Sequence, residues 1–169
     1  MKKEFKHPKY DSKKLKKSIL EILKATPLWS MATVNSDSTS HINTAYFCFD
    51  DDFNFYFLTP PKAKHSKNLE NNSSVAITIF NTNQPWGAKP LRGIQIWGKA
   101  ENTKTITTGI AKETYCKRFK DAAGWLDNIK KEKMKDVHSR FYKVIPTKMK
   151  LFDEKNFGEE TFIDIDLKK

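Results

Sequence analysis

Hydrophobic residues recur along this chain first with helical spacing and then with a period of two. Leu15, Ile19, Ile22 and Leu23 fall on one helical face. A helix is expected from Ser12, a residue type suited to capping, to about Lys24, where Thr26-Pro27 stops it. Residues 29–34 read as a buried-type strand, Asn35-Ser36-Asp37-Ser38 as a turn, and 41–49 as a second strand. After the turn Asp50-Asp51-Asp52, Phe53, Phe55 and Phe57 alternate with Asn54, Tyr56 and Leu58, the period of a strand. Thr59-Pro60-Pro61 ends it.

A short helix is expected over 64–71 and a strand over 74–80, with Val75, Ile77 and Ile79 facing one way. Two prolines and a glycine make 81–90 a loop. Residues 91–101 read as a strand, with Ile94 and Ile96 opposite Gln95 and Trp97. Helical signals return over 105–119 and extend to about 136. A strand over 141–145 is expected to end at Pro146, with further short strands over 149–152 and 162–165. Residues 1–11 read as a flexible basic arm and 12–169 as one domain without repeat or linker.

Many short strands, a helical insertion and more strands predict a mainly β (α+β) fold. Strands of this length remove their edges by closing on themselves, so a small antiparallel barrel with peripheral helices is the expected architecture. A doubly wound sheet needs strands and helices in regular alternation, which is absent.

Composition narrows the classes. The 169 residues fit one domain, and 12 Phe supply apolar material for its core. No apolar run approaches the roughly 18 residues of a membrane span. The lysine-rich beginning lacks the apolar stretch of a signal peptide. Cys48 and Cys116 form no CxxC, so a reducing, cytoplasmic setting is expected. The net charge of +11 points to anionic partners. Nine lysines precede Ala25, but neither this cluster nor the one around 130–135 interleaves aromatics, which argues against nucleic acid.

Candidate chemistry concentrates in 57–69. A strand ends in the hydroxyl residue Thr59, a turn follows, and Lys62, Lys64 and His65 gather where a helix starts. Helix starts present unpaired N–H groups, and cations there add ionic hydrogen bonds. Two readings fit: a phosphate site, or an ordinary strand–turn–helix with solvated lysines.

The same segment resembles the phosphate-binding stretch of the pyridoxamine 5'-phosphate oxidase-like, FMN-binding split-barrel superfamily. Leu58-Thr59, Lys62 and Lys64-His65 match most closely a poorly characterised bacterial subgroup, the YhbP-like proteins. Further matches follow in order: residues 91–98, an Arg-Gly-Val-Gln-x-x-Gly type strand; Tyr115 to Phe119, a Tyr-x-x-Arg-Phe helix; and residues 148–153 with Phe157-Gly158. The resemblance spans roughly residues 15–166. It implies a split barrel that binds FMN between the two subunits of a homodimer and acts as an oxidoreductase on a small-molecule redox substrate. It places Asn43, Thr44, Ala45 and Tyr46 beside the flavin ring, Thr59 near the phosphate, and Lys64 and His65 on the phosphate with help from Lys62. Ala63 stands where the family has serine, and Gly93 where it has a ring-contacting glutamine. His65 in place of lysine makes phosphate affinity depend on pH.

Other residues carry plainer expectations. His7, His41 and His138 lack metal-ligand spacing and read as surface histidines. Trp29, Trp97 and Trp125 read as core or interface residues, whereas Trp86, in a proline-flanked loop, could cover a ring. Tyr46 is either core or ring neighbour. Cys116 reads as structural despite Lys117 and Arg118 beside it. No metal site is expected, and no general acid or base is named. Two alternatives stand beside the FMN enzyme: a non-catalytic split barrel holding flavin, deazaflavin or haem, and a basic nucleic-acid-binding protein.

Overall fold

The computed structural model describes residues 4–104, 109–131 and 139–168. The elements run β1(Glu4–Lys6), α1(Ser12–Ala25), β2(Leu28–Val34), β3(Ser40–Phe49), β4(Phe55–Thr59), α2(Lys64–Asn71), β5(Ser74–Phe80) and β6(Arg92–Asn102). They continue with α3(Ile110–Arg118), α4(Lys120–Lys131), β7(Arg140–Asp153), α5(Glu154–Phe157) and β8(Phe162–Lys168). Every pairing is antiparallel, in the order β1-β8-β7-β4-β3-β2-β5-β6. A further β6–β7 pairing closes strands β2 to β7 into a six-stranded barrel. The fold is thus the small antiparallel barrel expected from the strand pattern, in the split form that the resemblance implied.

Strand β7 makes the split. Its first residues pair with β4, from Arg140 to Val144, and its later residues with β8, from Lys148 to Phe152. Along nearly its whole length it also pairs with β6. Pro146 therefore does not end the strand, contrary to the expectation. It lies at a register shift opposite Gly98, where the ladder is already interrupted and a missing N–H is tolerated. The Thr147 hydroxyl donates to the Trp97 carbonyl at this shift, 3.2 Å away. The backbones approach so closely that a Cβ on Gly98 would lie 2.5 Å from the Ile145 carbonyl oxygen.

The core is built from the inward positions of each strand. Met31, Ile77, Ile96, Met149 and Ile165 are successive register partners across five strands, and all are buried. Trp29 stacks on Phe47 with centroids 5.0 Å apart. Strand β4 is buried on both faces. Phe55 and Phe57 face the barrel core, while Tyr56 joins Cys48, Phe141, Ala111 and Leu126 beneath α3 and α4. The inserted helices thus cover what would otherwise be an apolar outer wall.

Three local expectations are corrected. Asp11, not Ser12, caps α1, its carboxylate accepting from the Lys14 amide at 3.0 Å. Phe53 precedes its strand, with φ of 56° in the turn after Asp50, yet its ring is buried. Residues 4–6 of the expected loose arm pair with β8 because Phe5 is buried edge-on against Phe53, 4.7 Å away. The expected helical stretches over 105–108 and 132–136 lie outside the described residues.

Asp153 at the end of β7 ties α1 to the barrel. Fully buried, it accepts from the Ser18 hydroxyl, from Arg92 at 2.9 and 2.8 Å and from Asn156 at 2.7 Å. Burial alone would raise its pKa, but the bonds from Arg92, Ser18 and Asn156 prevail and hold it below the usual carboxylate value. Arg92 also reaches Glu21 on α1 at 2.9 Å.

Two stability outcomes follow. Gly98→Ala forces β6 and β7 apart and lowers unfolding free energy by about 1–3 kcal/mol in urea titrations. Asp153→Asn leaves Arg92 with a weakened partner and costs about 3 kcal/mol at neutral pH. The contribution of Asp153 is present above the ordinary carboxylate pKa of 3.8 and disappears as pH falls through its lower folded value. The variant and the parent therefore converge in acid.

Candidate functional site

The hydroxyl, histidine and lysine cluster forms at one end of the barrel, where β4 hands over to α2. Thr59, the last residue of β4, is 5% exposed. Its Oγ1 lies 2.6 Å from Nε2 of His65 in the first turn of α2. Pro60 and Pro61 turn the chain between them, and the Ser66 hydroxyl donates to the Pro60 carbonyl at 2.9 Å to hold that turn. Ala63 occupies the N-cap and offers no side-chain acceptor, so the amides opening α2 lack the usual cap. Lys62 and Lys64 are exposed beside them.

The helix is anchored from beneath by polar groups. Buried Asn68 donates to Thr33 Oγ1 at 3.0 Å and to Asn35 Oδ1 at 2.9 Å, fixing α2 against β2. His41, expected at the surface, is instead half-buried, its ring 6.3 Å from that of His65 and nearly parallel to it at 15°. Burial first, and the facing His41 second, push the His65 imidazole below its ordinary value. Arg140 on β7 is the register partner of Thr59, which brings a guanidinium residue to the same face. Sequence reasoning missed both His41 and Arg140. The signal for His41 was its place opposite Thr33, eight residues earlier across a short turn. Arg140 pairs with Thr59 from 81 positions away, and no local pattern carries that.

The four residues expected beside a flavin ring continue along β3 from His41. At about 3.4 Å per residue, Thr44 lies about 10 Å and Tyr46 about 17 Å along the strand from His41. Thr44 and Tyr46 point outward and are exposed, whereas Asn43 and Ala45 alternate inward. Asn43 shares its face with its register partner Met31, and its buried Oδ1 has no hydrogen-bond partner among the described residues. Tyr46 contacts Phe119 edge-on at 5.5 Å rather than entering the core.

Elsewhere, a groove of about 640 Å³ lies over β5, β6 and β7. It is lined by Phe80, Trp86, Gly93, Lys150, Phe152 and Phe162, among others. Trp86 is fully exposed on the loop above it. A Cβ at Gly93 would sit 3.2 Å from that of Phe80, so a glutamine here would need Phe80 to move. Trp29 is buried in the core, as expected, while Trp97 and Trp125 are exposed. Burial pushes the Cys116 thiol up and raises that of Cys48 to about 12, so both stay protonated. Among the described residues, no group of three or more His, Cys, Asp or Glu side chains could hold a metal. His138 lies outside the described residues. No described helix is long and apolar enough to cross a membrane.

A family model described as pyridoxamine 5'-phosphate oxidase matches residues 15–153, most of the barrel and both sides of the cluster. The chain belongs to this family. Solved structures of the same fold include HutZ, the heme storage protein of Vibrio cholerae, at 15% identity and a TM-score of 0.61, covering 89% of this chain and 94% of that one. An F420 reductase matches at 20% identity and a TM-score of 0.52, over 76% of this chain and 93% of that one. General Stress Protein 26 of Bacillus anthracis matches at 21% identity and a TM-score of 0.55, over 88% and 97%. These likenesses establish a shared fold. No curated protein matches the sequence.

The depressed His65 imidazole has a consequence for stability. Between its folded value and the ordinary 6.5, the unfolded chain binds more protons, so stability falls as pH drops below about 6.5. Urea midpoints of the ligand-free protein at pH 7.5 and 5.5 will differ by less in His65→Gln than in the parent.

Proposed function

We propose that this protein binds FMN as a homodimer and works as a flavin-dependent oxidoreductase. The observation that carries the reading is the Thr59–His65 pair at the uncapped start of α2. A phosphate monoester suits this donor set. It would accept from the opening amides of α2 and from a hydroxyl, an imidazole and the Lys62 and Lys64 ammonium groups. The serine hydroxyl of the family is replaced by Ala63, and half-buried His41 and Arg140 bring further nitrogen donors to the same end of the barrel.

From that anchor the rest of the cofactor would follow β3, with Thr44 and Tyr46 on the exposed side. Bound FMN supplies hydride acceptance at its ring. The protein residues contribute the rest. The α2 cluster neutralises the phosphate, β3 orients the ring, and a covering surface excludes water. A second copy provides that cover. Ile42 is 68% and Tyr46 54% exposed, and Ile42, Ala32, Ala76 and Trp97 form one continuous outer row of register partners. An apolar sheet face of this kind is characteristically buried against a partner. Trp86, which lines the groove over Gly93, would cover a ring arriving from the partner's site.

A haem-binding reading is kept because HutZ, with the same fold, is a heme storage protein. The visible spectrum of the purified protein, before and after incubation with FMN or haemin, separates the two. Bands of oxidised flavin are expected, and a Soret band with no uptake of FMN would overturn the reading. Lys64→Ala combined with His65→Ala removes two charge-assisted contacts, each worth about 1.5–3 kcal/mol, and weakens FMN binding roughly 100-fold or more with the fold intact by circular dichroism. Light scattering after size exclusion should report twice the 19.6 kDa chain mass.

A further inference from the structure

The hydrogen bond that occupies Thr59 has a direction that protonation would set. A neutral His65 can accept the Thr59 hydroxyl hydrogen at Nε2, which spends the one side-chain donor of Thr59. A protonated His65 must donate from Nε2, so Thr59 Oγ1 becomes the acceptor and its hydrogen is freed for another oxygen. The 2.6 Å separation is suited to either arrangement.

We infer that the Thr59–His65–His41 cluster is a proton-gated anion site, in which a phosphate or sulfate group is taken up together with a proton on His65. This deepens the FMN reading above and rests on its placement of the anion at α2. The groups around His65 favour the gate. From β3 it faces His41, from β4 the Thr59 hydroxyl and the Phe57 ring at 6.3 Å. From the turn and helix that carry it come Lys62 and Lys64, and from β7 comes Arg140, opposite Thr59. Asp37, on the turn between β2 and β3, feels the charge of Lys64 and is tied to the Thr39 hydroxyl at 2.6 Å and to the Thr39 amide at 3.0 Å. In the ligand-free cluster burial first, and the facing His41 second, favour the neutral His65 ring. A bound anion reverses that balance. It compensates the added charge of the His65 ring and accepts the hydrogen that Thr59 can then offer. The lysines supply a baseline attraction, and His65 supplies the part that changes with pH.

The test measures affinity against pH from 5.5 to 8.5 at constant ionic strength. FMN is followed by quenching of its fluorescence, and sulfate, which keeps its charge across this range, by NMR shifts of the histidine ring signals. Sulfate affinity is expected to rise toward acid, by up to about tenfold per pH unit for each proton taken up, and FMN affinity to rise less below about pH 6, where its own phosphate takes a proton. His65→Lys should bind with a flat profile, and His41→Gln, which removes the group facing His65, should move the rise to higher pH. Thr59→Val should lose the gain at low pH while keeping the weak binding at high pH. Binding of FMN and sulfate that is flat with pH in the parent overturns the gate and leaves the flavin reading standing. Sulfate binding that rises toward acid, with no FMN binding, supports the gate and removes the flavin. Binding of neither at any pH overturns both. If a variant fails to fold, the parent profile for sulfate decides the matter.

Discussion

Everything in this molecule depends on one strand serving three neighbours. Strand β7 closes the barrel along β6, and exchanges β4 for β8 on its other edge. The exchange takes place where Gly98 and Pro146 meet, so closely that even a methyl group would overlap the Ile145 carbonyl. A wider crossing would disturb both partners at once. It would misalign Arg140 against Thr59 at one end and Asp153 against Arg92 at the other. The barrel closure and the position of the anion cluster are therefore a single geometric fact.

The cluster gains its rigidity from burial on both sides of β4. Phe57 holds one face in the barrel core, and Tyr56 holds the other beneath the inserted helices. Thr59 is thus delivered at the end of a strand with little freedom to move. Helix α2 meets it through polar anchors rather than apolar packing alone. Asn68 binds Thr33 and Asn35, and Ser66 binds the Pro60 carbonyl. Such directional bonds fix rotation as well as distance, and rotation is what places His65 on Thr59.

Much of this fold was legible because it is locally encoded. The local strand signals gave β2, β3, β5 and β6 within a residue or two, and the 64–71 helix emerged with its bounds intact. The failures were long-range. Pro146 is a strand breaker by local rule, and only its place at a bulge opposite Gly98 lets β7 continue. The polar, lysine-rich beginning of the chain reads as loose, and only the pocket beside Phe53 makes Phe5 a core residue. The site followed the same division. Thr59, Lys62, Lys64 and His65 lie within seven positions and show a pattern, and the structure does bring Thr59 and His65 into contact. His41 and Arg140 reach them through strand register, a property of the assembled sheet rather than of any window of sequence.

The pairing of β1 with β8 sets Glu4 directly opposite Lys168. The fold is therefore close to a ring, with its two described ends as neighbours on one sheet edge. A few flexible residues would join them, and a new opening in the exposed 81–91 loop would leave every strand pairing in place. Such a permuted chain would turn the most distant contact in the sequence into a local hairpin, at a much lower loop-closure cost. The order of the residues would change, but the barrel and its anion cluster would not.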